Sequence, residues 1–142
     1  MQTIIDINHF ISSYVTKREV SLLRTDLERE HDALRDKLTG KKVLVIGGAG
    51  TIGSYYIKAL LKYRIRSLVV VDINENGLTE LVRDLRSSSV YNIPDEFLTY
   101  PMNFGDRVFE KMFRSMAPFD IVANLQHTSM SAAKRIFSRL RR

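Results

Sequence analysis

The apolar run Val43-Leu44-Val45-Ile46 passes directly into Gly47-Gly48-Ala49-Gly50-Thr51-Ile52-Gly53, and this junction restricts the folds open to the chain more than any other segment. An unbroken apolar run suits a strand buried on both faces, and glycines at G-x-x-G-x-x-G spacing behind it permit a tight turn into a helix. Such a turn leaves free backbone N–H groups at the positive end of the helix, which is how a dinucleotide pyrophosphate is held. The plainer reading, glycines serving only a strand-to-helix turn, stands beside it. About 20 residues further on, Asp72 ends a second apolar run, where a carboxylate accepts the hydroxyls of an adenosine ribose. That favours NAD over NADP, because a 2'-phosphate would meet a negative charge with no Lys or Arg in Ile73-Asn74-Glu75-Asn76 to offset it. Asp72 also suits a helix cap or a loop carboxylate, and Asn74 suits the cap of the next helix equally well.

Hydrophobic periodicity extends the pattern. Strands are expected over 42–46, 67–71, 96–100 and 120–125, and helices over 51–63, 75–87 and 106–116. The alternation points to an α/β fold, a parallel sheet with helices on its faces, as in a partial Rossmann (doubly wound) architecture. The first of these helices is expected to bury Ile52, Tyr56, Ala59, Leu60 and Tyr63, and the second Leu78, Leu81, Val82 and Leu85. Ahead of the sheet, residues 6–38 read as an N-terminal helical segment with Val20, Leu23, Leu27, Leu34 and Leu38 on one stripe. That stripe either packs on its own domain or pairs with a second helix. Thr39-Gly40 ends the segment. The expected division is therefore 1–40 helical, 41–126 dinucleotide-binding and 127–142 a basic tail.

Composition narrows the partners. The chain has 142 residues, 44% of them hydrophobic, and no cysteine, which excludes disulfides and thiolate metal sites. No apolar run reaches the roughly 20 residues that span a bilayer, and residues 1–16 lack the features of a signal peptide. A cytoplasmic protein is expected. The net charge of +6 raises nucleic acid or a membrane surface as partners, but Lys134, Arg135, Arg139, Arg141 and Arg142 supply most of it. Residues 1–126 hold 17 cations against 16 acids, a net +1. Neither nucleic acid nor membrane is expected, although the tail with Ile136, Phe137 and Leu140 suits a short amphipathic helix. His9, His31 and His127 are scattered, so no metal site is expected.

The loop from Gly47 to Gly53, Val70-Val71-Asp72-Ile73-Asn74-Glu75-Asn76 and Leu81-Val82-Arg83-Asp84-Leu85 together resemble extended short-chain dehydrogenases/reductases. Within them the chain resembles the polysaccharide-biosynthesis (CapD-like) branch of nucleotide-sugar 4,6-dehydratases and epimerases, over about residues 41–126. The resemblance implies NAD or NADP held by Gly47, Gly50, Thr51, Ile52, Gly53, Asp72 and Asn74. It places Asn103 at the adenine, where Met102-Asn103 replaces the family's Gly-Asp pair, and Ala123 and Asn124 along the cofactor at the end of the fourth strand. It also implies UDP-linked sugars as substrates of a full-length relative.

In that family the nicotinamide takes a hydride from the sugar, and a tyrosine and a lysine four residues apart handle the proton. None of Tyr14, Tyr55, Tyr56, Tyr63, Tyr91 and Tyr100 has a lysine four residues on. Some relatives carry methionine for tyrosine, and Met130 and Lys134 have that spacing, but they precede the fifth strand that the family motif follows. No catalytic residue is expected. One base inserted after the Leu125 codon, with codons that the observed residues allow, turns the tail into Leu-Ser-Ala-His-Lys-His-Val, which resembles the family's Ala-x-Lys-His-Val segment. A frame-shifted, truncated member is therefore expected, with residues 126–142 non-native. It would bind a dinucleotide without catalysing alone. The alternatives are a dinucleotide-sensing module and a helix-mediated interaction protein with a Rossmann scaffold. Self-association is expected through the N-terminal helix or through a sheet edge exposed after Leu125.

Overall fold

Five residues from Lys42 to Ile46 form the strand at the centre of the sheet, β1, and four of them are buried because both faces of the sheet are covered. The computed structural model describes residues 24–126 and Ser138. Its elements run α1 (Arg24–Arg29), α2 (His31–Leu38), β1 (Lys42–Ile46), α3 (Thr51–Leu60), β2 (Ser67–Asp72), α4 (Glu75–Ser87), β3 (Glu96–Pro101), α5 (Arg107–Met116) and β4 (Ile121–Asn124). By internal contacts the chain divides into two units, Met1–Leu34 and Arg35–Arg142.

The sheet order is β3-β2-β1-β4 and every pairing is parallel. Val43 lies opposite Leu68 on one side and Ile121 on the other, so β1 is hydrogen-bonded along both edges. Because successive side chains of a strand alternate in direction, β1 and β2 feed two separate cores. Val43, Val45, Leu68 and Val70 pack with Ile57, Leu60 and Leu61 of the α3 segment and with Leu78, Leu81 and Leu85 of α4. Leu44, Ile46, Val69 and Val71 pack with Phe104 and with Phe109 and Met112 of α5. Helices thus cover both faces, and the fold is a partial Rossmann-like α/β arrangement, as the alternating pattern predicts.

The helix α3 departs from expectation in phase and length. Ile52 is 72% exposed and Ala59 is also exposed, whereas Gly53, Ile57 and Leu60 are buried, with Leu61 just beyond. Gly53 sits against the turn that leaves β1, which fixes the rotation of the helix and carries positions 57, 60 and 61 inward. The helix ends at Leu60 instead of Tyr63. There Lys62 and Tyr63 donate to the carbonyls of Ala59 and Leu60, three residues back, and tighten the chain out of α-helical geometry. In α4, Leu78, Leu81 and Leu85 are buried as expected and Val82 half-buried.

The expected long N-terminal helix is interrupted within the described residues, α1 and α2 being separated at Glu30. Neither holds a fully buried residue, but Leu38, the last residue of α2 and of the expected stripe, packs against the core that Ile57, Leu60 and Leu78 share. Val20 and Leu23 of the expected stripe lie outside the described residues, as do residues 127–137 and 139–142 of the tail, including Met130 and Lys134. Among the described residues no helix is long and apolar enough to cross a membrane.

Candidate functional site

Three glycines, Gly47, Gly48 and Gly53, shape the turn after β1, and on Gly48 a Cβ would run into the Val70 side chain. Gly47 has φ +80°, a conformation that favours glycine, and its N–H donates to Val71 O at 2.8 Å, holding the start of the turn to β2. A Cβ on Gly47 would lie 2.7 Å from the backbone N of Gln126, where the chain leaving β4 passes over it. A Cβ on Gly53 would clash with the carbonyl oxygen of Gly47 and lie 2.7 Å from Gly48 Cα, so α3 approaches the turn as closely as backbone allows. Gly50 is the N-cap residue of α3, and no side chain caps the helix there. The N–H groups at the start of α3, on Gly50, Thr51, Ile52 and Gly53, therefore have neither a side-chain cap nor an intrahelical acceptor, the condition in which a helix start receives an anion. Thr51 and Ile52 are exposed.

Asp72 closes β2 beside this turn. Its Oδ2 accepts the N–H of Ala49 at 3.0 Å and its Oδ1 accepts the N–H of Asn74 at 2.9 Å. Asn74 caps α4 by accepting the N–H of Gly77 at 3.0 Å. Asn103 follows β3, exposed, with its side-chain amide donating to Asp106 Oδ1 at 3.3 Å, and Asp106 is the N-cap residue of α5. At the end of β4, Ala123 packs against the core beneath α3 and α4, while Asn124 Oδ1 accepts the N–H of Gln126 at 3.1 Å. Leu125 N–H donates to Ile46 O at 2.8 Å and keeps the exit of β4 against that of β1.

All ten residues expected at the site thus lie at the carboxyl ends of the four parallel strands or in the first turns that follow them. The order β3-β2-β1-β4 places the change of direction between β1 and β4, and open sheets of this kind bind ligands in that crevice. The sequence reading overlooked Ala49, whose N–H reaches Asp72, and Gly77, where a Cβ would meet Ala49 Cβ at 3.0 Å. A glycine in the first turn of an amphipathic helix was the legible signal for the second, since it marks a close approach. Nothing in a residue as plain as Ala49 marks its N–H. Among the described residues, no group of three or more His, Cys, Asp or Glu is placed to hold a metal.

A family model described as polysaccharide biosynthesis protein matches residues 43–122, more than half of the chain. The chain belongs to this polysaccharide biosynthesis family. Its match begins at the second residue of β1 and ends inside β4, so the family region is the sheet with its glycine turn and Asp72. An uncharacterized membrane protein of Methanocaldococcus jannaschii is 44% identical over 50 residues, which are 35% of this chain and 15% of that one. Among solved structures, the enzyme WbmF of Bordetella bronchiseptica in complex with NAD+ is similar at 27% identity and TM-score 0.43, over 63% of this chain and 24% of WbmF. Pen from Bacillus thuringiensis is similar at 24% identity and TM-score 0.50, over 65% of this chain and 26% of Pen. This family member therefore spans between about a seventh and a quarter of the length of these relatives.

Proposed function

We propose that this member of the polysaccharide biosynthesis family binds a dinucleotide, NAD in preference to NADP, in the crevice at the carboxyl ends of β1, β2 and β4. One observation carries the reading: the uncapped start of α3 and the carboxylate of Asp72 stand on adjoining turns, fixed by the tight Gly47 to Gly53 approach. That pairs an anion-accepting group with a hydroxyl-accepting one, the two chemistries a dinucleotide presents. The N–H groups of Gly50, Thr51 and Ile52 would take the pyrophosphate, Asp72 the adenosine ribose with Asn74 beside it, and Asn103 the adenine. The exits of β1 and β4, with Gly47, Ala123 and Asn124, would line the far half. When bound, the nicotinamide supplies an acceptor for hydride.

The whole protein of this family, on the same reading, acts on a UDP-linked sugar. This chain carries no tyrosine with a lysine four residues on, so it is assigned binding without turnover. Calorimetric titration of the full chain tests the first part. Saturable binding of NAD+, weaker binding of NADP+, and loss of both in Gly50→Asp are expected; a folded chain that takes up neither cofactor overturns the reading. Formation of a 4-keto or epimerised product from a UDP-sugar by the purified chain overturns the second part.

A further inference from the structure

Asp72 holds more than a place for a ribose. Its carboxylate oxygens accept N–H groups from two separate turns, Ala49 at 3.0 Å from the turn after β1 and Asn74 at 2.9 Å from its own. The first of these bonds crosses 23 residues of sequence. A carboxylate offers about four acceptor positions, so these two bonds leave room for ribose hydroxyls. Ala49 is also packed: it lies against the α3 and α4 core, and α4 comes so near at Gly77 that a Cβ there would stand 3.0 Å from Ala49 Cβ. Gly47 N–H is anchored on Val71 O, one residue before Asp72. Residues 47 and 49 are thus both tied to the end of β2, and the uncapped N–H groups lie immediately after them.

We propose that Asp72 is a positioning residue for anion binding: its carboxylate clasps the glycine turn to the β2 to α4 turn and fixes the N–H groups of Gly50, Thr51 and Ile52 in place. The inference rests on the dinucleotide reading and goes beyond its ribose contact. It also reverses an electrostatic expectation. A carboxylate beside a pyrophosphate repels it, so charge alone predicts tighter pyrophosphate binding when Asp72 is replaced. The clasp predicts weaker binding, because the donors lose their fixed arrangement and the anion must order them.

The test uses the full chain, with amide exchange followed by NMR and with inorganic pyrophosphate and NAD+ as separate probes. In Asp72→Ala the Ala49 amide is expected to exchange about tenfold faster than in the wild type, the factor that corresponds to about 1.4 kcal/mol. Pyrophosphate binding is expected to weaken by at least about threefold, a change in the opposite direction to the charge effect. Asp72→Asn drops the same charge as Asp72→Ala but keeps one acceptor, so it is expected to bind pyrophosphate more tightly than Asp72→Ala. If Asp72→Ala does not fold, Asp72→Asn carries the exchange test, since its single amide oxygen serves Ala49 or Asn74 and the other amide must exchange faster. Unchanged exchange at both amides, or tighter pyrophosphate binding by Asp72→Ala, overturns the clasp. A wild type that protects Ala49 and binds pyrophosphate through the turn but ignores NAD+ overturns the dinucleotide reading and supports the clasp.

Discussion

Gly50 and Gly53 lie three residues apart in one turn and answer to different constraints. A methyl group on Gly53 has no room against Gly47, whereas on Gly50 it meets only Gly47 O at 3.7 Å, an ordinary contact. Gly53→Ala should therefore cost about 1–3 kcal/mol of stability, as overpacking does, visible as a lower urea midpoint with unchanged slope. Gly50→Asp should behave oppositely. Asp is a favoured N-cap residue, so the midpoint should hold within about 1 kcal/mol while calorimetry registers the loss of NAD+ binding. Ser67 is a different single-residue case: it is wholly buried at the start of β2, and its Oγ has no hydrogen-bond partner. Removing an unsatisfied hydroxyl relieves a desolvation cost, so Ser67→Ala should be neutral or stabilising by up to about 1 kcal/mol in the same denaturation experiment.

The elements depend on their coverings. The only helix among the described residues that packs on the Leu44 and Val69 face of the sheet is α5, and Phe109 is its fully buried anchor, with ring centroids 5.0 Å from Phe104 and 6.1 Å from Phe113. Phe109→Ala should cost about 3–5 kcal/mol, enough to unfold much of the chain when followed by circular dichroism. On the other face Lys58 of α3 meets Asp84 of α4 at 2.5 Å, and that hydrogen bond is the first cause raising the Lys58 ammonium above its ordinary value of 10.5. A raised lysine stabilises the fold fully below its unfolded value, and the benefit fades as pH climbs through the folded one. Urea midpoints should thus fall more steeply above pH 10.5 in the wild type than in Lys58→Met. The strands and α4 were legible because their apolar runs are long relative to their ends, as in Val43 to Ile46 and the buried set Leu78, Leu81 and Leu85. The phase of α3 was not, since it is set by a glycine and not by a hydrophobic residue; Gly53 turns inward, which puts Ile52 out. A loop role for Asp72 was legible beside the ribose role, but its bond from Ala49 was not, for a related reason, the donor being a backbone N–H group that no side chain announces.

At the scale of the molecule, the sheet has two edges and they differ. β3 closes on Pro101 and β4 is four residues long, paired among the described residues only with β1, with Val122 36% exposed. An apolar side chain beside unpaired backbone groups invites a second strand, so the chain should self-associate with rising concentration in sedimentation velocity, and Val122→Lys should suppress this. The pairing of β4 has another side. The pairs β1–β2 and β2–β3 join strands that follow closely in sequence, but β4 reaches β1 only after those three strands have been laid down, as the bond from Lys42 N–H to Asp120, 78 residues away, makes plain. Closing so large a loop costs entropy before the pairing repays it, so this strand should join late in folding and open first, with its amides exchanging ahead of those of β1. The wall of the crevice formed by Asn124 and Gln126 is then the least permanent part of the site, and a ligand that touches it would be felt as slower opening of β4.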